Sequence, residues 1–157
     1  MTTNASKASM TVEYVFDTEP LIAYLYDEPG APEVTERFRA MQADDATGAI
    51  SHATATEVVY KVARLETGDP NRTSPGEEEL EVGEMDIRVL QGFGLEIETP
   101  SWNTVASIKA AGRISLGDSY AAALAAETGA TLVVGADPEF EDLSLDIDLH
   151  RIREDSV

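Results

Sequence analysis

The sequence predicts an α/β fold with a mainly parallel central sheet, and three observations carry that expectation. Short β-branched or aromatic runs alternate with longer segments of helical period along the whole chain. Single helices or helix pairs separate the runs, which is the spacing of crossover connections between parallel strands. No internal repeat or low-complexity tract interrupts the alternation.

The elements follow in order. Residues 12–16 (VEYVF) read as the first strand, ended by Asp17-Thr18-Glu19-Pro20, a helix start with a side-chain acceptor and an early proline. Leu21, Ile22, Leu25 and Tyr26 recur at helical spacing, Pro29-Gly30 breaks that helix, and Val34, Phe38 and Met41 mark a second. Residues 47–50 form a brief strand, followed from Ser51 to about Glu66 by a helix carrying Val58, Val59, Val62 and Leu65. Residues 68–76 (GDPNRTSPG) are a surface loop between two helices, the second spanning 77–91 with the acidic run 77–79 at its start, where the helix dipole favours it. A strand at 95–98, helices at 102–111 and 118–127, the strand 131–134 and a last short strand within 147–152 complete the reading. Residues 1–10 are small and polar and read as a loose arm, leaving 11–157 as one domain.

In a parallel sheet, ligands gather beyond the carboxyl ends of the strands, near the point where strand order reverses. Four acids are placed to meet there. Asp17 follows the first strand, and Asp137 follows the strand 131–134 after Gly135-Ala136. Asp118 opens a helix after Gly117, and Glu57 lies within the first two turns of the helix after the second strand. Clustered carboxylates repel one another, and a hard divalent cation, Mg²⁺ or Mn²⁺, relieves that repulsion through oxygen ligands. Such an ion lowers the pKa of a water nucleophile and stabilises an in-line phosphodiester attack. Each acid also has a local reading: Asp17 and Asp118 as helix caps, Glu57 as half of a capping box with Thr54, and Asp137-Pro138 as a turn start.

These segments resemble the PIN-domain family, and within it the VapC-type toxins of toxin–antitoxin pairs. Residues 14–18 (YVFDT) followed by 21–25 (LIAYL) are similar to the family's opening strand, first aspartate and helix. Residues 51–64 (SHATATEVVYKVAR) resemble the segment carrying its glutamate, 114–121 (ISLGDSYA) the stretch with its third acid, and 132–140 (LVVGADPEF) its closing strand and last aspartate. The resemblance implies a three-layer α/β/α sandwich and Mg²⁺- or Mn²⁺-dependent cleavage of single-stranded RNA by Asp17, Glu57, Asp118 and Asp137. It also implies a homodimer and a cognate antitoxin that inserts into the acidic cleft. Lys61, Arg64 and Arg113 lie near these acids in sequence and are candidates to hold the RNA backbone, or else ordinary surface charges.

Two positions depart from the family pattern. Gly135 stands where a threonine or serine is common, and Glu19 stands where a small polar residue is common. The first removes a hydroxyl expected to steady Asp137, with Glu139 and Glu141 the nearest acids able to stand in. It also motivates the alternative of a non-catalytic PIN-like module that binds RNA or protein. A phosphate-accepting receiver domain is disfavoured, because the late strands offer no lysine of the kind it needs.

Other chemistries are poorly supplied. There is no cysteine, and the two histidines, His52 and His150, read as structural or surface residues. Trp102 reads as a core or dimer-interface residue. No apolar run reaches membrane-spanning length and no signal-peptide pattern opens the chain, so the expected location is the cytoplasm. Thirty acidic residues face eleven basic ones, a net charge of −19, which opposes RNA binding at ordinary salt. The acids are spread along the chain and only Lys7, Lys61 and Lys109 are lysines. That is the composition expected of a halophile, in whose salt-saturated cytoplasm screening lengths fall to roughly 3 Å. The test is dialysis into low salt followed by far-UV circular dichroism. Unfolding is expected, and full stability would remove the halophilic reading.

Overall fold

The computed structural model describes residues 11–154, apart from Pro70, Arg72, Thr73, Asp142 and Ser144. The predicted arm at 1–10 lies outside the described residues, as do those five positions of the two loops.

Among the described residues, five strands form one sheet: β1 (Tyr14–Phe16), β2 (Gly48–Ser51), β3 (Leu95–Glu98), β4 (Thr131–Val134) and β5 (Leu149–Arg151). Their order is β3-β2-β1-β4-β5, and every neighbouring pair is parallel. Among the described residues, the six α-helices are α1 (Thr18–Leu25), α2 (Ala31–Gln42), α3 (His52–Glu66), α4 (Glu77–Gly92), α5 (Trp102–Ala111) and α6 (Leu116–Thr128). The chain lays down β1, β2 and β3 toward one edge, then returns to add β4 and β5 on the other side of β1. The reversal falls between β1 and β4.

Alternation along the strands separates two apolar layers. Phe16, Ile50 and Val133 face a core shared with Leu21 of α1, Val34 and Phe38 of α2, Val58 and Val62 of α3, and Leu90 of α4. Val15, Ala49, Leu132 and Val134 face a second core built from Val105 and Ile108 of α5 and the alanine-rich side of α6. This is the three-layer α/β/α arrangement. The small side chains Ala121, Ala122, Ala123 and Ala125, all buried, bring α6 close to the sheet.

Most differences from the sequence reading lie at element ends. The first strand is shorter than 12–16 and the last shorter than 147–152. The helix expected at 118–127 begins two residues earlier because Ser115 caps it, accepting a hydrogen bond from the Asp118 amide at 3.2 Å. Trp102 is 80% exposed, so the core reading of that residue is wrong: it opens α5 with its ring outside both apolar layers. Among the described residues, no helix is long and apolar enough to cross a membrane.

Phe38 ties α2 to α1 and to the approach of β3. Its ring lies 4.8 Å from Tyr24, 5.3 Å from Phe16 and 5.7 Å from Phe93, centroid to centroid, and it is almost completely buried. Phe38→Ala is expected to destabilise the fold by about 3–5 kcal/mol. That corresponds to a fall in melting temperature on the order of 10 °C, measurable by circular dichroism in high salt.

Candidate metal centre

All four sequence-selected acids line one cleft of about 190 Å³, together with Thr18, Glu19, Ile22 and Lys61. Its position follows from topology. The Asp17 amide donates to the Val133 carbonyl at 2.9 Å, which continues the β1–β4 ladder and places Asp17 where strand order reverses. Larger hollows occur elsewhere, including an apolar groove of about 490 Å³ between α3 and α4, but the convergent acids are in the smaller cleft.

The local readings of the acids resolve differently. Asp17 occupies the cap position of α1 yet makes no capping hydrogen bond, so its carboxylate is available to the cleft. Ser51 caps α3, accepting from the Thr54 amide at 3.0 Å, so Glu57 stands in the second turn free of any capping box. It is steadied instead by Thr18, whose hydroxyl donates to Glu57 Oε2 at 3.1 Å. Asp118 sits in the first turn of α6, behind the Ser115 cap. Asp137 does start a turn: its Oδ1 accepts from the Glu139 amide at 2.9 Å while the residue also lines the cleft.

Glu139 joins the cluster. Ligand oxygens of Asp118, Asp137 and Glu139 lie within 4.8 Å of one another. Glu141 does not join it, being largely exposed with Oε1 at 3.5 Å from Arg151. Of the three candidate RNA-binding cations, Lys61 lines the cleft with its Nζ 4.0 Å from Glu57 Oε2. Arg64 stacks on Tyr60, 4.9 Å from the ring centre, and Arg113 is exposed on the turn before α6; neither lines the cleft.

The electrostatics are unfavourable for a cluster of acids alone. Burial raises the pKa of Asp17 well above the ordinary carboxylate range, and the charge of Glu57 raises it further against lowering by the Thr18 amide and Lys61. Burial likewise raises Asp118, with added repulsion from Asp17 and a hydrogen bond to Glu139 that favours its protonated form. Glu139 is held low by that same bond and by the Ser115 amide. The donor set is all oxygen, partly buried and over-supplied with negative charge, which suits a hard divalent cation.

Gly117 makes this packing possible. A Cβ built there would lie 1.7 Å from Glu57 Oε1. Alanine favours a helix over glycine by about 1 kcal/mol, so Gly117→Ala should leave the fold intact. By moving Glu57 it should weaken Mn²⁺ binding by roughly ten-fold or more, as read by electron paramagnetic resonance.

Asp17 and Asp118 keep protons when folded at pH values where the unfolded chain has released them, so metal-free stability falls as pH rises above about 4 and through their raised folded values. Asp118→Asn removes one of these groups. In EDTA, its melting temperature should fall less between pH 5 and pH 8 than that of the wild type; parallel curves would show that Asp118 carries no such shift.

A family model described as the PIN domain matches residues 14–145. No curated protein matches the chain at a significant level. Among solved structures, DNA-bound VapBC from Salmonella typhimurium is similar with a TM-score of 0.61 at 20% identity, covering 90% of this chain and 99% of that one. VapBC2 from Rickettsia felis, bound to a DNA fragment from its promoter, gives a TM-score of 0.63 at 18% identity over 89% of this chain and 98% of that one. PAE2754 from Pyrobaculum aerophilum gives 0.59 at 20% identity over 91% and 92%. At these identities the structures speak for the fold, whereas the family match spans most of the chain and includes all four acids: the chain belongs to the PIN domain family.

Proposed function

We propose that this protein is a metal-dependent endoribonuclease that cleaves single-stranded RNA and serves as the toxin of a toxin–antitoxin pair. The observation that carries this reading is the convergence of Asp17, Glu57, Asp118 and Asp137 in one cleft at the reversal of strand order, in a chain of the PIN domain family. The likeness to the two VapBC structures supports a VapC-type role with a cognate antitoxin as partner; a homodimer is the proposed working form.

Asp17, Glu57, Asp118 and Asp137 would hold the ion, Mg²⁺ or Mn²⁺, with Glu139 as a further oxygen donor beside Asp118 and Asp137. When bound, the ion supplies an acidified water and charge stabilisation at the scissile phosphate. The chain's own residues hold and orient. Thr18 fixes the Glu57 carboxylate, Ser115 fixes the start of α6 and so Asp118, and the turn at Asp137 fixes the fourth acid. Lys61 is the cation at the cleft wall suited to an RNA phosphate, whereas Arg64 and Arg113 lie outside the cleft.

The test is cleavage of labelled single-stranded RNA in high salt with Mg²⁺, Mn²⁺ or EDTA, after removal of any co-purified inhibitor. Cleavage should require the metal, and Asp17→Asn and Asp118→Asn should each fall to the level seen in EDTA. Folded wild-type protein that binds RNA without cutting it would favour the non-catalytic module. Full activity in Asp118→Asn would rule out the acidic-cleft mechanism.

A further inference from the structure

Glu19, which lines the cleft, and Gly135, far apart in sequence, lie against each other. A Cβ built on Gly135 would lie 1.9 Å from both Cδ and Oε2 of Glu19. No side chain fits at position 135 while Glu19 holds its place. Both Glu19 oxygens are engaged: Oε2 accepts the Ala136 amide at 3.1 Å, and Oε1 accepts Arg153 Nε at 2.9 Å as well as the same guanidinium's Nη2. From the other side, Arg151 Nη1 donates to the carbonyls of Gly135 at 3.1 Å and of Asp137 at 2.9 Å.

The segment 135–137 is therefore held through its main chain. Its amide is bound by a side chain from the first turn of α1, and its carbonyls by a side chain from β5. Glu19 follows Asp17 by two residues, so the contact joins the acid that ends β1 to the loop presenting the acid beyond β4. Charge-assisted hydrogen bonds of this kind, about three-quarters shielded from solvent at both Glu19 and Arg153, are stronger than neutral ones and define position.

We propose that Glu19, braced by Arg153, is a positioning residue that sets Asp137 relative to Asp17, and that it does so in place of any side chain at position 135. Glu19 lines the cleft with both of its oxygens already engaged, Oε2 by the Ala136 amide and Oε1 by Arg153. The two departures from the family pattern are thus one feature: the carboxylate occupies the space the glycine leaves. The proposal rests on the metal-site reading above.

The experiment is a double-mutant cycle of Glu19→Ala and Gly135→Ser, read by Mn²⁺ affinity in electron paramagnetic resonance and by the Ala136 amide in ¹⁵N–¹H spectra of metal-free protein. Each single change should weaken Mn²⁺ binding by about ten-fold, as loss of an outer-shell partner does. The double variant should be no weaker than the worse single one, because removing the Glu19 side chain opens the space that a serine side chain at position 135 needs. Glu19→Ala alone should also shift the Ala136 amide and speed its hydrogen exchange. Multiplying losses, roughly a hundred-fold in the double variant, would overturn the proposal by making the two positions independent. An Ala136 amide unmoved by Glu19→Ala would overturn it even where Gly135→Ser fails to fold. Wild-type protein that binds no Mn²⁺, with the Ala136 response intact, would instead sink the metal reading and leave the contact standing.

Discussion

The pairing of β1 with β4 is the constraint on which the rest depends. Tyr14, Val15 and Phe16 lie beside Thr131, Leu132 and Val133, although more than a hundred residues of chain separate them. That pairing reverses the strand order, and the hydrogen bond from Asp17 to Val133 carries it one residue past the strand. It turns two stretches of apolar sequence into a pair of acidic strand ends at one place. Everything else in the site is added around this pair: α3 brings Glu57 along one flank, and α6 brings Asp118 by its first turn.

The same closeness makes the cleft a point of local frustration in the metal-free chain. Asp17 and Asp118 are almost fully buried, each raised by burial and by an acidic neighbour. A well-packed apolar pair would be more favourable in their place, and the two cores beside them show that the chain builds such packing elsewhere. Retaining acids there is intelligible if the folded state is completed by a cation. Stability and the proposed chemistry then pull against each other in the empty cleft and together in the filled one.

Much of this was legible in the sequence, for a physical reason. Strand ends and helix starts are local features, and acids placed at them can be listed without knowing the fold; Asp17, Glu57, Asp118 and Asp137 were found that way. Contacts between distant side chains are not local. Glu19 and Gly135 each stood out as unusual, yet nothing in one chain of letters says that the carboxylate of the first fills the space left by the second. Arg151 and Arg153 gave no signal at all, since a basic residue near a chain's end reads as surface charge. The core half of the Trp102 reading failed because burial is decided by what packs against a large aromatic and not by its type.

The cations around the cleft fall into two kinds, which bears on how so acidic a protein could receive RNA. Arg151 and Arg153 are mostly buried and engaged with loop carbonyls and Glu19, so they act as internal fasteners. Lys61 is about half exposed, and its distance of 4.0 Å to Glu57 is a loose pairing worth less than about 1 kcal/mol. It can therefore turn to a phosphate at small loss. Against it stands a net charge of −19, whose repulsion reaches about 8 Å at ordinary ionic strength and roughly 3 Å at molar salt. Basic nucleic-acid-binding proteins lose affinity as salt rises, because binding releases counterions. Here added salt should first remove a long-range repulsion while leaving contact-range interactions at the cleft wall, so the balance that lets RNA approach shifts in the opposite sense. On the proposed reading, salt would screen the long-range repulsion between two polyanions and leave the local contact to Lys61.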